Sequence, residues 1–180
     1  MGEWLHISGE ITVLAFIHRE EGEKGFKRLL RKYFNRRLDC HPDCTSKKCR
    51  YCQEYFAVPC GWNGPMDFRI DQTTMADPFT ETPFVFARAR VHIFGDLEDR
   101  SDKEAVKDWL EKCFVPHKKS VEDISTLCQE AKDGKIPDKS LRNRKLYLTD
   151  AMVKIDVDRV GGLEYLMYDD ANGELKIIQI

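Results

Sequence analysis

Six side chains that can bind a soft metal ion crowd into residues 40–60, a segment that holds five of the seven cysteines of the chain. Cys49 and Cys52 are separated by two residues, a spacing that lets both thiolates of one tight turn bind a single ion. The six candidates are Cys40, His41, Cys44, Cys49, Cys52 and Cys60. An ion held by four such ligands has no open coordination position, so the spacing indicates a structural cross-link rather than a catalytic centre.

Zinc is the ion that we predict for this segment. The predicted ligand set takes three cysteines and one further residue: Cys44, Cys49 and Cys52, with either Cys40 or His41. An iron–sulfur cluster is the alternative, because four cysteines within about twenty residues also suit a four-iron cluster. Basic residues between the ligands favour zinc, because a redox cluster is expected to be shielded by apolar side chains. These basic residues are Lys47, Lys48 and Arg50.

The composition indicates one globular domain. Hydrophobic residues make up 42% of the 180-residue chain and charged residues 33%, and no run approaches the roughly 20 apolar residues of a membrane span. The N-terminus has no signal-peptide pattern, and clustered cysteines suit a reducing compartment. We therefore expect a single domain over 1–180 with 39–65 as an inserted metal-binding loop, a cytoplasmic location and no membrane partner.

The charges are unevenly distributed along the chain, although the net charge is only −2. Residues 24–50 contain ten Lys or Arg against two Asp, whereas residues 147–180 contain three basic and seven acidic side chains. Within 24–38 the apolar residues recur at helical spacing, which predicts an amphipathic basic helix. A cationic helix followed by a basic loop is the electrostatic footprint of a phosphate-binding surface. Nearby aromatic residues are candidate base-stacking platforms: Tyr51, Tyr55, Phe56 and Trp62.

The remaining elements follow from hydrophobic periodicity. We predict a strand over 5–18, either one long strand or a strand with a bulge at Gly9. Further strands are predicted over 66–71 and over 84–94, where Arg88, Arg90 and His92 share one side. Helices are predicted over 102–114 and 120–132, and a strand and a hairpin with Asn172 in its turn complete the chain. Without the short second helix and the final hairpin, the order is β-α-β-β-α-β. The predicted fold is therefore α+β, with a ferredoxin-like (split βαβ, RRM-like) core, an inserted zinc knuckle and a C-terminal β-hairpin.

The sequence contains no motif that assigns a reaction. It has no nucleophile elbow, no P-loop and no dinucleotide-binding glycine pattern. His18 or His92 is a candidate general base for metal-independent RNA cleavage, but a structural role is the better explanation of each histidine. Asp156 with Asp158 is a candidate Mg²⁺ pair, and a polar strand edge explains these two residues equally well. Enzymatic activity is therefore left open, with an endoribonuclease as its only candidate class and no catalytic residue assigned.

Four segments together resemble the N-terminal half of the RAMP superfamily. They are ISGEITVLAFIH at 7–18, KGFKR at 24–28, CRYCQEYF at 49–56 and FRID at 68–71. Members of this superfamily are ferredoxin-like subunits that form the RNA-binding backbone of CRISPR effector complexes in antiviral defence, and some carry a zinc knuckle at this place. The resemblance covers roughly residues 5–95.

The resemblance implies that basic residues of the helix and knuckle contact a guide RNA backbone, and that the knuckle supports the loop through which adjacent subunits meet. The expected RNA-binding residues are Lys24, Lys27, Arg28, Arg31, Lys32, Lys47, Lys48 and Arg50. We therefore expect an RNA-binding subunit of a CRISPR-type ribonucleoprotein, braced by zinc, with RNA and other subunits as partners. The alternative is a zinc-containing adaptor whose basic helix and acidic C-terminal region bind other proteins.

Overall fold

The computed structural model describes residues 4–34, 59–61, 64–76, 84–98, 103–114, 125–126, 129–130, 133–134, 146–157, 163–169, 172 and 174–179. A one-turn 3₁₀ helix, Arg19–Glu21, joins the first strand to the first helix. The helices are α1 (Gly22–Phe34) and α2 (Lys103–Cys113). The strands are β1 (Trp4–His18), β2 (Cys60–Gly61), β3 (Gly64–Pro65), β4 (Asp67–Ala76), β5 (Phe84–Glu98), β6 (Leu146–Val157), β7 (Leu163–Asp169) and β8 (Glu174–Gln179).

Six of the strands form one antiparallel sheet in the order β4-β5-β1-β6-β7-β8. The longest strands are β1 and β5, each of 15 residues, and they pair along their whole length from Trp4 opposite Glu98 to His18 opposite Phe84. The short strands β2 and β3 form a separate two-stranded ribbon. β4 and β8 lie at the two edges of the large sheet.

Alternation along the strands gives the sheet two different faces. On β5, Ala87, Ala89 and Val91 are buried, whereas the intervening Arg88 and Arg90 are exposed. The buried side, which we call the covered face, packs against α1 and α2 in one hydrophobic core. Hydrogen bonds fix both helices to it: Glu23 of α1 binds Thr73 of β4, and Lys103 of α2 binds Glu164 of β7 at 2.7 Å. We call the opposite side the open face.

The predicted α+β, ferredoxin-like core is wrong as a description of this fold. The described residues form mostly strand, and the two helices have only 13 and 11 residues. The final hairpin, which the prediction set aside as an addition, continues the same sheet, because β7 pairs with β6 and β8 pairs with β7. In the described residues, the observed architecture is a six-stranded antiparallel sheet that packs against the short helices α1 and α2.

Most predicted elements are present, with longer strands than periodicity alone indicated. The basic helix is confirmed over Gly22–Phe34, and the strand predicted over 66–71 extends to Ala76. The helix predicted over 120–132 falls mostly outside the described residues. Exposure of Arg88 and Arg90 confirms the predicted polar side of β5, which His92 shares.

Of the two alternatives for 5–18, one long strand is confirmed, and a bulge at Gly9 is not present. The β1–β6 register is continuous at Gly9 and shifts between Thr12 and Val13. Gly9 is required for a different reason: a Cβ at this position would collide with the carbonyl oxygen of Met152 and the Cα of Val153 on β6. Glycine within a strand can mark either a bulge or a close backbone approach, and here it marks the second.

Candidate nucleic-acid interface

Helix α1 presents three cations along one exposed line. Lys24, Arg28 and Arg31 are spaced at four and three residues, which places them on the same side of an α-helix, and all three are exposed. On the other side, Phe26 and Leu30 are completely buried in the core. Burying a large apolar side chain contributes roughly 1.5–3 kcal/mol, so these two residues fix the rotation of the helix and keep the cations outward. We call Lys24, Arg28 and Arg31 the cation stripe.

The stripe is not neutralised by carboxylates within the described part of the chain, where none of its three members forms an ion pair. Lys27 differs, because its Nζ lies 2.6 Å from Oε1 of Glu23 and its side chain is partly buried. Hydrogen bonds from Lys27 and then from Thr73 hold the pKa of the Glu23 carboxyl below its ordinary value. Of the helix cations predicted to bind phosphate, Lys27 is therefore partly neutralised by its own helix.

Of the other residues predicted to bind RNA or zinc, only Lys32 and Cys60 lie in described elements, and their side chains are not described. Lys32 lies in the last turn of α1, and its side chain is outside the described part of the structure. The remaining basic candidates, Lys47, Lys48 and Arg50, lie outside the described residues. So do the metal-ligand candidates Cys40, His41, Cys44, Cys49 and Cys52 and the predicted stacking residues Tyr51, Tyr55, Phe56 and Trp62. Cys60 begins β2, whose pairing with β3 brings Cys60 opposite Pro65.

The open face carries a second group of polar and aromatic side chains, and the sequence analysis named only some of them: His18, Arg88, Arg90, His92 and Asp156. Trp4 and His6 on β1 lie with their rings nearly parallel, at an interplanar angle of 8° and a centroid distance of 6.3 Å. On the neighbouring strand β5, His92 and Phe94 stack at 5.6 Å. The alternation of residues 4–10 could have indicated this face, but which strands lie beside β1 depends on contacts far apart in sequence.

Side-chain pairs on the open face join neighbouring strands in two cases and lie within a single strand in two others. Nδ1 of His6 lies 2.6 Å from a carboxylate oxygen of Asp96. The Arg69 guanidinium binds Asp71 at 2.6 Å, and this hydrogen bond is the main reason that the pKa of Asp71 is lowered. The further pairs are Arg90 with Glu10 and Lys154 with Asp156.

The histidines do not form a well-aligned catalytic pair in the described residues. His18 accepts a hydrogen bond from the backbone N–H of Glu20 and meets Phe84 edge-on, which gives it a local structural role. His92 Nε2 lies 3.5 Å from Oγ of Ser8, beyond the roughly 2.6–3.2 Å over which a general base takes a proton. Within the described part of the chain, no three His, Cys, Asp or Glu side chains are grouped to hold a metal ion.

Comparison with family models, curated proteins and solved structures finds no match to this chain. Among its described helices, none has both the length and the apolar character of a membrane span. Its function has therefore to be inferred from the chemistry of its own residues.

Proposed function

We propose that the chain is an RNA-binding subunit of a ribonucleoprotein complex and that it holds the phosphate backbone on α1. The observation that carries this proposal is the cation stripe: Lys24, Arg28 and Arg31 are aligned, exposed and without an acidic partner among the described residues, above a buried apolar side. Cations that neutralise phosphates release condensed counterions, and this release supplies most of the sequence-independent affinity for nucleic acid.

The proposed ligand is a guide RNA, and the proposed assembly is a CRISPR-type effector complex. Support comes from the RAMP-like segments, one of which, KGFKR at 24–28, includes two members of the stripe. The cysteine spacing in 40–52 supports a structural zinc that braces the segment directly after α1. The basic residues Lys47, Lys48 and Arg50 within that segment would extend the phosphate-binding surface.

A pair of charge-matched variants tests the proposal. Arg28→Gln with Arg31→Gln removes two stripe cations, and Lys107→Gln with Lys176→Gln removes two cations from α2 and β8. Both variants lose the same net charge, so a general electrostatic effect would weaken RNA binding equally in both. We expect the first variant to bind single-stranded RNA much more weakly than the wild type and the second to bind almost normally, in filter binding at fixed salt.

The control residues suit this comparison because each already has an acidic partner. Lys107 pairs with Glu111 at 3.1 Å, and Lys176 pairs with Asp169. Surface pairs of this kind contribute little to stability, so the control variant is expected to fold. The first variant is also expected to fold, because Arg28 and Arg31 are exposed. Equal RNA affinity in the two variants would contradict the proposal and would leave a protein-binding adaptor as the better interpretation.

A further inference from the structure

The accessible aromatic rings of the open face lie together on two neighbouring strands. Trp4 and His6 follow one another on this face of β1, and His92 and Phe94 do so on β5. The register places Phe94 opposite Ser8, next along this face from His6. The four rings therefore occupy adjoining positions, and we call them the ring platform.

All four rings of the platform are at least partly exposed, unlike Phe16 and Phe84 on the same face. Phe94 is 37% exposed, and the His6 side chain is 41% exposed. At the other end of the two strands, Phe16 and Phe84 are buried at 6% and 4% and stack on each other at 5.1 Å. The open face thus has an apolar cluster at one end and accessible rings at the other.

Three carboxylates of the open face are paired with Lys or Arg, which reduces their repulsion of a polyanion. Asp67 lies opposite Phe94 on β4, and its carboxylate accepts a hydrogen bond from the backbone N–H of the next residue, Phe68. Arg88, two residues before Arg90 on the same face, is exposed and has no ion partner among the described residues. The carboxylates paired with Lys or Arg are Glu10 with Arg90, Asp71 with Arg69 and Asp156 with Lys154, and Asp96 is hydrogen-bonded to His6.

We infer that the ring platform stacks unpaired bases of single-stranded RNA, with Arg88 available to a phosphate of the same strand. Base stacking on aromatic side chains tolerates any sequence, because every base has a π-face. This inference rests on the proposed function and adds a site for the bases to the phosphate site on α1. Because α1 packs on the covered face, an RNA strand that fills both sites has to pass around the border of the sheet.

The platform is tested with protein variants that lack one of its rings, measured against RNA and against an oligonucleotide that lacks bases. Phe94→Leu and Trp4→Leu keep an apolar side chain but remove the π-face, and Ile178→Ala on β8 is the control, since Ile178 is 44% exposed on the same face. Each ring variant should weaken binding of a short single-stranded RNA by roughly 5- to 150-fold, with an unchanged salt slope. The same variants should bind an abasic oligonucleotide of equal length with the wild-type affinity. Ile178→Ala should change neither the affinity for RNA nor the affinity for the abasic oligonucleotide.

Fluorescence gives a second readout that does not depend on comparing affinities. A base stacked on Trp4 quenches its emission, so RNA should quench the wild type more than Trp4→Leu at saturation. Normal RNA affinity in both ring variants, with binding still dependent on α1, would overturn the platform and leave the proposed function standing. Absence of RNA binding by the wild type would overturn both. Ring variants that change sedimentation but not RNA affinity would assign the face to a second copy of the chain and overturn the platform.

Discussion

Thr73 on the edge strand β4 donates a hydrogen bond of 2.5 Å to Glu23 of α1, and the same carboxylate oxygen binds Lys27 at 2.6 Å. One carboxylate therefore has two effects on the proposed interface. It fixes the first turn of the basic helix to the sheet, and it neutralises the helix cation next to the stripe.

Glu23→Gln should raise RNA affinity while lowering thermal stability. The substitution removes a negative charge beside the stripe and frees Lys27 to meet a phosphate, which would make the salt slope steeper by about 0.7 for single-stranded RNA. Thr73→Val is the matched variant, since it breaks the same contact without freeing a cation, and it should lower the melting temperature without raising affinity. RNA affinity that falls in Glu23→Gln would argue that Glu23 itself orients the interface.

Acid should loosen the contact between α1 and β4. The pKa of Glu23 is lowered by its hydrogen bonds from Lys27 and Thr73, so the contact stabilises the folded chain above pH 4.5. That stabilisation is lost as the pH falls below 4.5 through the folded-state pKa. Melting temperatures measured between pH 7 and 3 should therefore decrease more steeply in the wild type than in Glu23→Gln. Parallel curves would show that the pair contributes nothing.

Gly9→Ala should destabilise the sheet strongly. An added Cβ would strike the Met152 carbonyl oxygen and the Val153 Cα, and both are backbone atoms that cannot rotate away. Separating β1 from β6 at the middle of the sheet should cost about 2 kcal/mol or more. Ser8→Ala, at the adjacent exposed position, should stay within about 0.5 kcal/mol of the wild type. Urea denaturation of the two variants measures both values, and a stable Gly9→Ala protein would contradict the close approach.

Local periodicity predicted the elements of this chain better than their assembly. The apolar spacing of Phe26 and Leu30 identified the buried side of α1, and alternation identified the exposed side of β5 at Arg88 and Arg90. The fold class was predicted wrongly because periodicity does not show how many strands share one sheet. β1 pairs with both β5 and β6. His6 on β1 contacts Asp96 on β5, 90 residues away in sequence, and Thr12 on β1 contacts Thr149 on β6, 137 residues away.

Parts of the site that depend on local sequence pattern were predicted, and parts that depend on strand pairing were not. The stripe depends on positions within one helix, so its exposure could be predicted. The ring platform depends on the pairing of β1 with β5, which the sequence does not reveal locally. The pairing of Lys27 with Glu23 was missed although its spacing of four residues is a recognisable helical signal.

The cysteine segment is predicted to bind about one zinc ion per chain. Cys49→Ser or Cys52→Ser should lower stability sharply and release the metal, because the binding energy of a structural ion is part of the folding energy. Ser46→Ala, within the same segment, removes no ligand and should leave the metal content unchanged. Elemental analysis of the purified protein distinguishes zinc from iron. Iron together with visible absorbance near 400 nm would contradict the zinc site and indicate an iron–sulfur cluster.

The dependence of RNA affinity on salt tests the central claim most directly. If Lys24, Arg28 and Arg31 each neutralise one phosphate of single-stranded RNA, they should contribute roughly −2 to the slope of log affinity against log salt in the wild type. Replacing all three with Gln should make the slope shallower by roughly 2 and leave the melting temperature almost unchanged, since all three are exposed. A folded triple variant that keeps the wild-type affinity and slope would contradict phosphate binding by α1.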